Sequence, residues 1–292
     1  MIINQANLAI ISTGFKTAFN QGKQKVEPLW NKVATLVNST GKEEKYGWLG
    51  QFPRLRKWVG DRQIKNLAAH DYSIKNEPFE GTVAVLREDI EDDGYGIYGT
   101  LFEDMGYGAA THPDELVFSL LGDGFTKPCY DGQYFFDTDH PTNNGSVSNM
   151  QAGAGAPWFL LDTTRPLKPL IFQKRKEYNL ISLIDEKAEN VFMRKEFLYG
   201  VDARVNVGFG FWQSAFGSKA TLNTDNFDLA MAAMLSVQSD EGRPLGIKPN
   251  LLVCGPSNRA AANQTIKMML VNGGNSNPNY NEVEVLVVPW LT

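Results

Sequence analysis

Apolar residues recur at helical spacing from the start of the chain. Leu8, Ile11, Phe15 and Phe19 form one stripe, and Gly22 is placed to stop it. A second short helix is predicted next, with Pro28 in its first turn and Leu29, Val33 and Leu36 on one face. Neither stripe is wide enough to build a domain. The pair therefore lies either on its own body or, as an arm, against a neighbouring chain. Phe79 to Leu86 alternates in part, as a strand does. Ile97 to Leu121 reads as a long helix or two stacked ones, striped by Leu101, Met105 and Ala109 and then by Leu116, Leu120 and Leu121. Pro113 is expected to kink or restart it, with Thr111 or His112 as a cap, and Gly122 and Gly124 to end it.

The second half is richer in strand patterns. Leu170–Phe172, Leu180–Ile184 and Val201–Trp212 read as strands, the last with Val201, Val205, Val207, Phe209 and Phe211 mostly on alternate positions. Asp225 to Gln238 is an amphipathic helix with Phe227, Met231, Met234 and Leu235 on one face and Thr224 or Asp225 as cap. Leu251–Cys254 and Val283–Val288 read as strands, and Ser257 is expected to cap a helix running to about Val271. The class is α+β, closing on a compact α/β module.

One stretch fits neither pattern. Tyr46 to Tyr72 carries Trp48, Leu49, Phe52, Leu55, Trp58, Val59, Ile64 and Leu67, with five basic residues (Arg54, Arg56, Lys57, Arg62, Lys65) against two acidic ones. Gly47, Gly50, Pro53 and Gly60 punctuate it, which suits a long hairpin. It has too much aromatic surface to stand in water and too much charge to be core, so it reads as an interaction surface or as a hairpin folded on its own body. Downstream, Glu88, Asp89, Glu91, Asp92 and Asp93 cluster before a helical stretch, where unpaired N–H groups favour acids.

Composition narrows the class. A chain of 292 residues holds about two domains or one large one, and a hydrophobic fraction of 42% excludes wholesale disorder. Two cysteines exclude a disulfide framework and suit a reducing compartment. The net charge of -5 argues against a basic nucleic-acid-binding module. The longest apolar runs are far short of a membrane span, and no basic segment precedes the apolar patch at Leu8–Ile11, so no leader is expected there.

Catalytic motifs are sparse. No glycine run closes on Lys-Ser or Lys-Thr, and Gly208-x-Gly210 sits inside a strand pattern, where close packing explains it. A calcium-loop reading of Asp89-x-Glu91-x-Asp93-Gly94 fails because its last ligand position is Thr100. Gly255-Pro256-Ser257 is better read as a helix start than as an anion site. Asp137, Asp139 and His140, with Cys129 nearby, are the types of residue used for general-base or metal chemistry. They are also what tight turns require, because their side chains bond the local backbone. Neither a cofactor nor a metal is expected.

Five segments in a fixed order carry a family resemblance. They are Tyr46-Gly-Trp48-Leu49-Gly-Gln-Phe52-Pro53-Arg54-Leu55-Arg56-Lys-Trp58-Val-Gly60-Asp61-Arg62, Asn76-Glu-Pro-Phe79-Glu80, Arg87-Glu-Asp-Ile-Glu-Asp92-Asp93, Asp131-Gly132-Gln-Tyr-Phe-Phe-Asp137-Thr-Asp139-His140-Pro141, and Arg165-Pro-Leu-Lys168-Pro169-Leu-Ile-Phe-Gln173. The chain resembles the major head (capsid) subunits of Mu-like phages and prophages from about Tyr46 to Trp212, and more loosely to its end. The resemblance implies the Hong Kong 97-like capsid fold. Residues 1–45 would be an N-terminal arm and 46–80 an extended β-hairpin loop. Residues 81–221 would be a peripheral domain with a long spine helix and β strands, and 222–292 the α/β axial domain. It implies a non-catalytic protein that assembles into pentamers and hexamers of an icosahedral head around double-stranded DNA. Implied partners are further copies, a separate scaffolding protein, a portal and a decoration protein, with DNA enclosed without sequence-specific contacts and no membrane. The location would be the virion capsid, assembled in the bacterial host cytoplasm. A nanocompartment shell of the same fold and a soluble carboxylate-dependent hydrolase are the alternatives.

The expected contact sets the basic hairpin of one subunit over the acidic helix start of the next. Trp48, Arg54, Leu55, Arg56, Lys57, Trp58 and Arg62 would lie on one side and Glu88, Asp89, Glu91, Asp92 and Asp93 on the other, with charge guiding register and the aromatic residues supplying buried area.

Overall fold

The computed structural model describes residues 4–47, 49, 71–92, 94–142, 145–185, 187–239, 242–271 and 274–291. Helix α1 (Gln5–Gln24) starts at Asn4, whose side chain accepts from Asn7 N–H at 2.9 Å. Its predicted stripe of Leu8, Ile11, Phe15 and Phe19 is buried. Gly22 does not stop it. That residue lies inside the helix, pressed against the backbone of the long helix described next. The second helix, α2 (Trp30–Val33), is only one turn, because the chain turns at Ala34 into strand β1 (Ala34–Asn38). Leu36, expected on a helix face, is therefore an exposed strand residue. Ladder pairing along a run of Ala, Thr, Leu, Val and Asn outweighs a weak helical period.

Short strands β2 (Glu43–Lys45) and β3 (Ser73–Lys75) pair with each other, followed by β4 (Glu77–Leu86), helix α3 (Arg87–Glu91) and helix α4 (Tyr98–Gly122). α4 is one unbroken helix of 25 residues with Pro113 inside it, not a restart. Its buried face is Phe102, Gly106, Ala109, Pro113 and Val117, and Leu101 of the predicted stripe points to solvent. After it come β5 (His140–Thr142), β6 (Gly145–Val147), β7 (Met150–Gln151), β8 (Trp158–Leu161), β9 (Leu170–Leu183), α5 (Glu189–Arg194), β10 (Glu196–Phe209) and β11 (Ala215–Ser218). The end of the chain holds α6 (Thr224–Leu235), β12 (Leu251–Cys254), α7 (Arg259–Ala262), β13 (Leu270–Val271), β14 (Asn275–Ser276) and β15 (Glu284–Val287). Two of its predicted caps differ. Asn223, not Thr224 or Asp225, caps α6 by accepting from Asn226 N–H at 2.9 Å. Ser257 lies in a 3-10 turn with no capping bond, and α7 passes into a π-helical turn, Asn263–Lys267, instead of reaching Val271.

Two sheets organise the molecule. The first has the order β1-β9-β10-β4, built on the long antiparallel pair β9 and β10. α1 and α4 cover one of its faces, where Phe15 stacks on Phe102 at 4.4 Å and meets Tyr199 edge-on at 5.2 Å. The second has the order β15-β12-β8-β11-β7 and a core on each side. Phe159, Leu161, Leu251 and Val253 face the helices and first sheet, while Trp158, Leu160, Leu252 and Cys254 face α6. Burial on both faces is why these strands are unbroken apolar runs. This sheet draws β7, β8 and β11 from upstream of residue 222, so the C-terminal module shares its sheet with the preceding segment.

Candidate functional site

The root of the Tyr46–Tyr72 segment is anchored. Tyr46 N–H donates to Tyr72 O at 2.8 Å, and the Tyr46 hydroxyl donates to Gln173 Oε1 at 2.8 Å. Phe209 N–H donates to the Tyr72 hydroxyl at 2.8 Å, and burial pushes that phenol up to about 12. Buried Gln173 in turn donates to Ile74 O and Asn76 Oδ1, both at 2.9 Å. The β2–β3 ladder therefore leaves the body from a fixed base. Trp48, Arg54, Leu55, Arg56, Lys57, Trp58 and Arg62 lie outside the described residues.

The acidic cluster is placed more completely. Glu88 and Asp89 sit in the first turn of α3 and Ile90 anchors it from below. Lys195 reaches Glu88 at 3.3 Å and Arg87 reaches Glu91 at 2.9 Å, both exposed pairs of the kind that contribute little individually. The Tyr98 hydroxyl donates to Asp89, and that bond raises the phenol above its usual range. Asp92 follows the helix on the surface, and Asp93 lies outside the described residues. Much of this negative charge thus has a partner within its own chain.

Beside α3 the first sheet has a face that nothing in the described chain covers. Pairing places Leu183, Leu198 and Ala84 in one row and Ile181, Gly200 and Thr82 in the next, with Leu86 at the edge. The opposite face of the same strands carries the buried Tyr199, Phe197 and Val85 beneath the helices. Ile181 is 61% exposed, and at the tip of the β9–β10 pair Phe192 is 81% and Met193 69% exposed. Sequence reasoning did not single out this face. The available signal was Leu180-Ile181-Ser182-Leu183-Ile184, where neighbouring positions are apolar and both faces therefore want cover.

The enzyme-like constellation is resolved into a buried turn. Asp137 accepts from Tyr134 N–H at 3.2 Å and Thr138 N–H at 2.7 Å, so it caps its own loop, and Asp139 is exposed. His140 is 0% exposed and stacks parallel on Trp212 at 4.0 Å. Its partner is Asp131, at 2.8 Å from Nδ1, a residue absent from the candidate set of Asp137, Asp139, His140 and Cys129. Asp131 also accepts from the Cys129 thiol and Gln133 N–H, both at 3.1 Å. Burial works against the Asp131 carboxylate, but His140 and Cys129 outweigh it and hold its carboxyl below the usual range. Burial and the Asp131 charge push the Cys129 thiol far up, which removes it as a nucleophile. Sulfur, oxygen and nitrogen donors converge here, but they are engaged with one another in a closed set of hydrogen bonds. The glycine pair Gly208 and Gly210 is a packing device: a Cβ would stand 2.2 Å from Ile74 and 2.6 Å from Lys168 O, respectively. No helix among the described residues is long and apolar enough to cross a membrane.

The candidate features are surfaces: an anchored segment root, an acidic helix start and a sheet face left uncovered among the described residues. Comparison with known proteins places the chain in a family. The family model described as Mu-like prophage major head subunit gpT matches residues 8–291. The major capsid protein of Escherichia phage Mu is 40% identical over 305 positions, covering 100% of both chains. A chain from the procapsid of bacteriophage JBD30 superposes with a TM-score of 0.88 and 46% identity, covering 99% of this chain and 100% of that one. A chain from the JBD30 capsid decorated with minor capsid protein trimers gives 0.79 and 36%, covering 90% and 91%. The fold is the Hong Kong 97-like fold of phage capsids, and neither the nanocompartment nor the hydrolase reading is favoured. The protein is a structural shell subunit, a major capsid protein, and the chain belongs to the family of Mu-like prophage major head subunits.

Proposed function

We propose that copies of this chain close into pentamers and hexamers of an icosahedral head around double-stranded DNA, and that the open face beside α3 is where neighbouring copies meet. The observation that carries the second point is the contrast between the two faces of one sheet. Tyr199, Phe197 and Val85 are buried on one side, while Ile181, Leu183 and Leu86 stand in water on the other. An isolated subunit leaves that apolar area unpaid in free energy; a neighbour removes it from solvent. The Tyr46–Tyr72 segment of the next copy has the matching chemistry. It offers Trp48, Leu55 and Trp58 to the apolar rows and Arg54, Arg56, Lys57 and Arg62 to Glu88, Asp89, Glu91, Asp92 and Asp93.

In this reading residues 1–45 are the arm, 46–80 the extended loop, 81–221 the peripheral domain and 222–292 the axial domain. A separate scaffolding protein and a portal complete the assembly in the bacterial host cytoplasm, and a minor capsid protein decorates the finished shell. The net charge of -5 suits a wall that does not hold packaged DNA through its phosphates.

The test is a charge reversal. Changing Arg54, Arg56 and Lys57 together to Glu should stop shell formation, seen by electron microscopy, while circular dichroism and thermal unfolding of the subunit stay as in the parent. Normal shells from the triple variant would refute the contact.

A further inference from the structure

The two ends of β10 carry features that the fold itself does not use. Just before its first residue, α5 forms a short, fixed tip. Buried Val191 roots it, Asn190 Nδ2 donates to Glu196 O at 2.7 Å, and Lys195 N–H donates to Val191 O at 3.0 Å. Lys195 closes the turn with a left-handed φ of 57°, a backbone that residues with side chains rarely adopt. What this tip presents outward is Phe192 and Met193, both mostly in water, with the exposed Arg194 beside them. Arg194 has no ion-pair partner among the described residues.

At the other end, the last residues of β10 and the end of α4 line a groove. Its volume is about 430 Å³, and Leu116, Leu120, Val207 and Phe209 make it largely apolar. That is room for a pair of side chains. Glu77 and Ser119 also line it and are exposed. Lys127 holds Asp123 at 2.9 Å, whereas the Glu77 carboxylate has no ion-pair partner among the described residues. β10 is 14 residues long, roughly 40 Å of strand. A tip and a groove at opposite ends of one such strand cannot meet within one chain.

We propose that the tip of one copy docks in the groove of the next, Phe192 and Met193 entering the apolar channel and Arg194 reaching Glu77 at its edge. This rests on the reading that copies of the chain assemble into a shell, and it adds a second contact to the one at the open sheet face. The chemistry on both sides selects the occupant: an exposed apolar pair meets an apolar channel, and an unpaired cation meets an unpaired carboxylate. A tip-to-tip contact would instead bring Arg194 against its own copies. The proposed contact joins two different surfaces, so each copy keeps a tip and a groove to offer. Such a series closes into a ring when the rotation between copies permits.

Disulfide trapping in assembled particles tests the contact. Met193 and Ser119 are exposed, and the chain's own Cys129 and Cys254 are buried. In shells of the double variant Met193→Cys, Ser119→Cys, mild oxidation should give a ladder of covalent multimers beyond the dimer on a non-reducing gel. Each single variant should stay monomeric there. Dimers from Met193→Cys alone would show tips meeting tips and overturn the proposal. Shells that form without a ladder would also overturn it, while leaving the assembly reading standing; a parent chain that forms no shells would sink both. Hydrogen–deuterium exchange on the parent decides even if the double variant does not assemble. Backbone amides of α5 and of residues 123–128 should both exchange more slowly in the shell than in the free subunit. Slowing at one segment without the other would contradict the contact.

Discussion

A single hydrogen atom separates a permitted helix crossing from a clash where α1 meets α4. A Cβ on Gly22 would stand 1.8 Å from Glu103 O, and one on Gly106 2.0 Å from Phe19 O. Both glycines let one helix backbone touch the other. Gly106→Ala should therefore force the helices apart and cost about 1–3 kcal/mol, read as a lower midpoint in urea unfolding. Tyr199 is the opposite case. Its ring is fully buried, yet its hydroxyl has no hydrogen-bond partner among the described residues. Tyr199→Phe keeps the ring and removes the orphan, so stability should rise by about 1 kcal/mol in the same assay. Leu8, Ile11, Phe15 and Phe19 were legible in the sequence because spacing alone reports a stripe. Gly22 was misread as a stop because its reason for being glycine is a backbone eighty residues away. Asp131 was missed as the partner of His140 for a related reason: Asp-Gly is equally good turn chemistry.

Elements that depend on tertiary partners were the ones read with errors. α4 runs through Pro113, and the next residue has a second role. Asp114 is buried and accepts from Leu29 N–H at 2.9 Å and Trp30 N–H at 2.6 Å, tying α2 to the long helix. Burial raises its carboxyl above the usual range, while the two backbone donors pull the other way. With its folded value above the unfolded one, the ionised group costs stability at neutral pH, and the cost fades as pH falls through the folded value. Asp114→Asn keeps the acceptor oxygen and removes the charge, so it should match or exceed the parent in thermal stability at neutral pH. Asp114→Ala strands two buried N–H groups and should lose about 1–3 kcal/mol. A worse result for Asn than for Ala would contradict this account. α6 and the second half of β10 were legible because both are strongly patterned, whereas β9 was legible only at its two ends, because its middle, Gln173–Glu177, is polar and carries no apolar period. The helix predicted to reach Val271 ends early because Asn277 takes the carbonyls of the π-helical turn after α7, donating to Thr265 O at 2.9 Å and Met268 O at 2.8 Å. A window of local sequence does not contain that residue.

The whole molecule is arranged as a body with two cores separated by the β15-β12-β8-β11-β7 sheet, and with one face of the first sheet uncovered among the described residues. The run at Leu251–Cys254 foreshadowed the first feature, since both faces of that strand are apolar, and Trp158–Leu161 beside it shows the same pattern in the structure. That sheet crosses residue 222 because its wall is assembled from distant segments, a pairing that no local stretch of sequence contains. Phe192 and Met193 supply little to the fold at their exposure, so changing both to Ser should leave thermal unfolding within about 0.5 kcal/mol of the parent while reducing shell yield. The central claim is that this subunit builds closed shells through surfaces it leaves open as a monomer. Electron microscopy of the purified chain, alone and with the proposed scaffolding partner, tests that most directly. Closed particles, or rings of five and six subunits, are the expected images; a field of dispersed single subunits at every protein concentration would contradict the claim.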